Sequence, residues 1–164
     1  MSAVLTYSPS EVMVTINAYT MTDLVSVEIE WSTESFSMVR GIRGRNTRRQ
    51  SLDSSATLKL EFLQTSISND ILSELLLSDI AVQSSRLQIS IMDNSGSTKI
   101  MSEEAFISSF PTVTFNNELN SRLWLIKMPS TEATVKGNAK PLPDIFSAAS
   151  DFVDDVTNKI SGIF

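Results

Sequence analysis

Apolar side chains recur at every second position through Val12, Val14 and Ile16, through Val25, Val27, Ile29 and Trp31, and through Leu58, Leu60 and Phe62. The same alternation runs through Leu87, Ile89 and Ile91. Period two marks a strand with one face on a core and the other in solvent. Phe36 and Met38 carry the pattern on toward residue 40. Asp93-Asn94-Ser95-Gly96-Ser97 reads as a turn, after which residues 98–101 pair back as a hairpin. Residues 103–106 fit either a strand or a short connection. Residues 111–115 and 121–127 predict two closing strands joined through Asn116 and Asn117. The second is apolar on both faces at 123–126, as expected where a neighbour covers its outer side.

The period turns helical only twice. Between 68 and 78, Ile71, Leu72, Leu75 and Leu76 share one side, which predicts a helix packed on a sheet. Ser68 suits its N-cap, Asp70 its first turn, and Ile67 can staple onto Leu72. Residues 129–143 are polar and read as a linker. From 144 onward Ile145, Phe146, Ala149, Phe152, Val153, Val156 and Ile160 line one side of a second helix, with Asp151, Asp154 and Asp155 on the other. That helix either folds back on the sheet domain or docks on a partner subunit. Its acidic polar face argues against a membrane anchor. The expected organisation is a β domain over 1–128, a linker over 129–143 and an amphipathic helix over 144–164. The fold class is mainly β: an antiparallel β-sandwich or barrel with one flanking helix, plus the C-terminal amphipathic helix.

Composition narrows the chemistry. The 164 residues contain no cysteine and no histidine. Disulfides, thiolate metal sites, the commonest general base and the usual zinc ligand are therefore absent. No apolar run is long enough to span a bilayer, and the N-terminus lacks a signal-peptide pattern, so the chain is expected to be made and folded in the cytoplasm. The net charge is −6, unevenly spread. Arg40, Arg43, Arg45, Arg48 and Arg49 crowd into a stretch without a single acid, expected to be a loop. They leave eight basic residues against 19 acidic ones elsewhere. A basic loop on an acidic body suits self-association better than nucleic-acid binding, because the body repels a polyanion. A single-strand binder would also interleave aromatics with the arginines, and none is present between residues 40 and 50.

Glu28 and Glu30 stand two apart on one strand and so point the same way. A glycosidase needs carboxylates flanking a bond from opposite sides, and no convergent acid or glycine-rich loop accompanies them. Asp93 and Asn94 lack the extended acidic spacing of a calcium loop. The expected protein is not an enzyme and carries no metal or cofactor. It is a β-rich module suited to assembly.

The run Gly41-Ile42-Arg43-Gly44-Arg45-Asn46-Thr47-Arg48, with Asp53-Ser54-Ser55-Ala56-Thr57-Leu58 and Gln64-Thr65-Ser66-Ile67-Ser68-Asn69-Asp70 after it, resembles the tail tube proteins of contractile-tailed bacteriophages. The similarity covers residues 7–127, and type VI secretion tube proteins are similar in fold. The resemblance implies a structural protein of the virion tail. Six subunits would close a ring by joining their sheets, and rings would stack into a hollow tube that conducts DNA into the host. Its implied partners are itself, the tail sheath protein, and the baseplate and tail terminator proteins, with DNA only in transit and no membrane. The five arginines would reach a neighbouring subunit or ring. The face carrying Ser26, Glu28, Glu30, Lys59, Glu61, Gln88 and Ser90 would line the channel. The alternatives are another tail component of the same fold, in the baseplate or terminator ring, and a nucleic-acid-binding module.

Overall fold

The computed structural model describes residues 7–84, 86–137 and 162. Ten strands and one helix follow in the order β1 (Val12–Ile16), β2 (Tyr19–Thr20), β3 (Leu24–Trp31), β4 (Phe36–Arg40), β5 (Asn46–Gln50), β6 (Ala56–Leu63), α1 (Ile67–Val82), β7 (Leu87–Asp93), β8 (Lys99–Ser109), β9 (Ser121–Met128) and β10 (Glu132–Thr134). The expected C-terminal helix lies outside the described residues.

Eight strands form one antiparallel sheet in the order β2-β1-β7-β8-β9-β6-β3, with β10 also on β8. In β6, Ala56, Leu58, Leu60 and Phe62 are buried while the residues between them are half-exposed. The period-two pattern thus becomes a two-faced strand, flanked by β3 and β9. The first half of β8 pairs with β7 and β10, and its second half pairs with β9. Sharing β8 folds the sheet over a single core. Val14, Ile16, Ile89 and Ile91 come from one half, and Leu58, Leu60, Phe62, Trp124 and Ile126 from the other.

A bulge lets β8 make this passage. Leu87 faces Ala105 and Ile89 faces Ser102, so Glu103 and Glu104 together oppose Gln88. The extra residue bends the strand and raises its twist. The ambiguous stretch 103–106 is therefore strand. A similar register shift lies between Leu24 and Ser26. It turns Val25, expected in the core, outward to 51% exposure.

α1 buries Leu72 and Leu76 and half-buries Ile71 and Leu75, the side read from the sequence. Its start and end differ from expectation. Ser66 is the N-cap, its Oγ accepting the Ser68 N–H at 3.1 Å, and the helix runs to Val82 before Gln83 adopts the left-handed region at φ 60°. Ser68 does not cap, because its buried Oγ accepts the Thr22 N–H at 2.9 Å and donates to the Thr22 carbonyl at 3.2 Å. Asn69 completes the junction. Its Nδ2 donates to the Leu63 carbonyl at 2.9 Å, and its Oδ1 accepts the Trp124 indole N–H at 3.0 Å.

Two further expectations are corrected. Residues 111–115 form no strand. Pro111 has no N–H to give a ladder, Val113 and Phe115 face solvent, and Asn120 Nδ2 ties the loop by donating to the Thr114 carbonyl. Glu132–Thr134, inside the expected linker, is a strand paired with Lys99–Met101. Lys136 extends that order through its backbone N–H to Thr98 Oγ1 at 3.0 Å.

Candidate assembly interface

The five arginines lie on a hairpin, not a loop. Arg40 ends β4, Arg48 and Arg49 belong to β5, and only Arg43 and Arg45 sit in the connecting turn. The two strands form a sheet of their own, pairing Phe36 with Gln50, Met38 with Arg48 and Val39 with Thr47. The guanidinium of Arg48 stacks over the Phe36 ring at 4.5 Å, which explains how arginine is accommodated in a strand. The turn closes through the Gly41 N–H to the Arg45 carbonyl at 2.8 Å. Gly44 takes φ +82°, a conformation glycine adopts without the Cβ penalty.

The hairpin contacts chiefly itself. Met38 is 72% exposed and Ile42 fully so. Among the described residues the one ion pair joins Lys59 and Glu30, so none of the five arginines has a carboxylate partner. At its base, the Ser55 N–H donates to Asp53 Oδ1 at 3.0 Å, and Thr33 Oγ1 donates to Asp53 Oδ2 at 3.3 Å. These hydrogen bonds, the Ser55 backbone one first, hold the Asp53 carboxyl below the ordinary carboxylate value.

The second predicted surface is partly assembled. On β3 and β6, Ser26 faces Glu61, Glu28 faces Lys59, and Glu30 faces Thr57. Ser26 Oγ donates to Glu61 Oε2 at 3.0 Å, Ser121 Oγ donates to the other oxygen of Glu61, and Lys59 Nζ lies 3.3 Å from Glu30 Oε2. Side-chain parity along two paired strands brings these groups to one polar face. Gln88 and Ser90 also face away from the core, but on β7, with β8 and β9 between them and β6. Gln88 instead bonds through its backbone N–H to Asn17 Oδ1 at 3.0 Å.

One further cluster is brought together only by the fold. The β8 bulge places Glu103 and Glu104 beside Glu132 of β10 around a groove of about 190 Å³, also lined by Met101, Ser102 and Ser130. Two adjacent glutamates breaking a period-two pattern were its only trace in the sequence.

β3 is an eight-residue strand paired on one side alone, with β6, among the described residues. An unpaired edge and an unpacked hairpin, among the described residues, are features through which β domains can join other chains.

The same fold occurs in contractile injection systems. The tube-terminating cap of the anti-feeding prophage matches with a TM-score of 0.56 at 12% identity, over 83% of this chain and 95% of that one. A chain of the sheath–tube complex of the PVC extracellular contractile injection system, in its extended state, matches with a TM-score of 0.56 at 12% identity, over 80% and 93%. The PVC sheath/tube terminator matches at 0.53 and 11% identity, over 82% and 100%. At such identities the likeness is one of fold. No protein-family model matches the chain. In sequence it is 32% identical over 149 residues to structural protein ORF10 of Pseudomonas phage KPP10, covering 84% of this chain and 86% of that protein. The chain belongs to the family of this bacteriophage structural protein.

Proposed function

We propose that this protein is a structural component of a phage tail that closes into six-membered rings, which stack as the inner tube conducting DNA during ejection. The observation that carries this reading is the β3 edge, unpaired among the described residues, on a domain with a continuous apolar core. A ring of joined sheets pairs such an edge and removes the aggregation hazard it presents. The tube and terminator folds of the structural neighbours support the same role, as does the phage structural relative.

Within the ring, the face of Ser26, Glu28, Glu30, Lys59 and Glu61 lines the bore, its excess of carboxylates repelling DNA phosphates so that the duplex slides without adhering. Gln88 and Ser90 join the bore only where the sheet's curvature carries β7 round to it. The arginine hairpin joins a neighbouring subunit or ring through fork-like guanidinium–carboxylate pairs. Outside the tube the partners are the sheath, the baseplate and the terminator. A second reading, a terminator ring that caps such a tube, is favoured by the two terminator proteins among the fold neighbours.

Negative-stain electron microscopy over a concentration series, at low and high salt, tests both. Hollow tubes with six-fold end views, shortening as salt screens the hairpin, are expected. Rings that never stack select the terminator. Monodisperse monomers under every condition overturn ring formation by the isolated chain. Glu28→Cys and Glu61→Cys probe the bore in a chain with no other thiol. Bulky thiol reagents are expected to modify both in monomer and neither in assembled tubes.

A further inference from the structure

Among the described residues, two surfaces of this chain, opposite in charge, lack counterions. The hairpin carries five arginines with no carboxylate partner among the described residues. The groove at the β8 bulge is lined by Glu103, Glu104 and Glu132, with no lysine or arginine in its lining and no ion pair to any of its carboxylates among the described residues. Two acids of the β3–β6 face are engaged within the chain. Glu30 is paired with Lys59, and Glu61 accepts from Ser26 and Ser121. The groove also offers the exposed side of Met101, an apolar contact for Ile42, which is bare at the hairpin turn.

Resting on the assembly proposed above, we infer that the partner of the arginine hairpin is the Glu103–Glu104–Glu132 groove of a second copy of this chain. Each hairpin strand of five residues spans about 17 Å, so the turn stands well clear of the body it leaves and is free to enter a neighbour. Arg43 and Arg45 sit in the turn and reach the groove first, with Arg48 behind them. The contact is heterologous, because hairpin and groove are different surfaces. It propagates from copy to copy, as a stack of rings requires. The bulge has a use in this arrangement. An unbroken strand would send Glu103 and Glu104 to opposite faces, whereas the bulge presents both to the same incoming guanidiniums.

Charge exchange and cross-linking test the pairing separately from the tube. Arg43→Glu with Arg45→Glu and Arg48→Glu, and Glu103→Arg with Glu104→Arg and Glu132→Arg, are each expected to shorten stacks about tenfold or more. All six changes together, or a mixture of the two triple variants, should restore most of that length. Restoration separates pairing from misfolding, which a second set of changes would worsen. Loss in each triple without recovery in either combination overturns the assignment, as does a groove variant that stacks like the parent. In a cysteine-free chain, Arg45→Cys mixed with Glu104→Cys is expected to form a disulfide-linked dimer on mild oxidation, at yields several-fold above Arg45→Cys mixed with Ser37→Cys. A cross-link without tubes supports the pairing while the tube role fails. Tubes without a cross-link leave the tube role standing and overturn the groove as the hairpin's partner. Neither product counts against both.

Discussion

The start of α1 and the hairpin of β4 and β5 treat their polar groups in opposite ways. At the helix start, Ser66, Ser68 and Asn69 are buried, and each has its hydrogen bonds met by Thr22, Leu63 or Trp124 of the same chain. At the hairpin, guanidiniums stand in solvent beside bare apolar side chains, and the intrachain contact of note is Arg48 on Phe36. The first junction is finished within one chain. A two-stranded hairpin is marginal alone, and on the assembly proposed above the second is an element whose ordering another chain completes. Stability and assembly are therefore written in different places, and changes in one should leave the other alone.

The largest effect is expected where the finished region is emptied. Phe62 is fully buried in β6, and Phe62→Ala should cost about 3–5 kcal/mol through lost burial and a residual cavity. A urea titration of the monomer reads this as a lower midpoint at nearly constant slope. Asn69→Ala comes next. It strips the Trp124 indole N–H of its buried acceptor and leaves the Leu63 carbonyl with the Ser66 N–H alone, at an expected cost of about 1–3 kcal/mol. Asn69→Asp sharpens the result. It keeps an acceptor for Trp124 but loses the donor to Leu63, so it should also destabilise, and more so as the buried carboxyl ionises. A neutral outcome at Asn69 would mean that this junction is held by apolar packing alone.

The hairpin should respond in the reverse sense. Arg43 and Arg45 are exposed, so Arg43→Ala or Arg45→Ala should leave the unfolding free energy within about 0.5 kcal/mol of the parent while assembly weakens. Arg48→Ala additionally removes the stack on Phe36, worth about 0.5–1 kcal/mol at an exposed site. Global unfolding should barely register it, because the hairpin forms a separate sheet. A large drop in monomer stability at any of the three would place the hairpin in the cooperative core and erase the contrast.

How far these two regions could be read in advance differs for the same reason. Leu58, Leu60 and Phe62 announced a strand because the pleat sends alternate residues to one face whatever lies opposite. The polar face of Ser26, Glu28, Glu30, Lys59 and Glu61 followed from that parity. Its separation from Gln88 did not, because parity gives a side of the sheet and not a position along it. Ser66 and Ser68 are both plausible caps locally, and the choice between them is made by Thr22, 46 positions from Ser68. The bulges at Val25 and at Glu103-Glu104 exist only relative to a partner strand. The arginines were conspicuous as charge yet legible only as a loop, since their strand form depends on cross-strand pairs such as Met38 with Arg48.

The smallest effect lies at the hinge between the two regions. Asp53 sits at the hairpin base, and the Ser55 N–H, with help from Thr33, favours its ionised form. A carboxyl whose folded pKa is depressed contributes order that is fully present above its unfolded pKa of about 3.9 and lost as pH falls through the lower folded value. Lowering the pH below 4 should therefore loosen the Asp53–Ser55 turn before the core yields. Lower protection of the Ser55 amide, relative to its intrinsic exchange rate, should appear first, with the fluorescence of a Trp31→Phe variant, which reports Trp124 alone, unchanged. The carboxyl is fully exposed, so water screens the effect and it should remain local. Asp53→Asn should make the protection of the Ser55 amide, taken relative to its intrinsic exchange rate, independent of pH in this window. If the pH dependence persisted in Asp53→Asn, the Asp53 carboxyl would not be what orders the Ser55 turn, and the hydrogen bonds from Ser55 and Thr33 would hold the hairpin base without its charge.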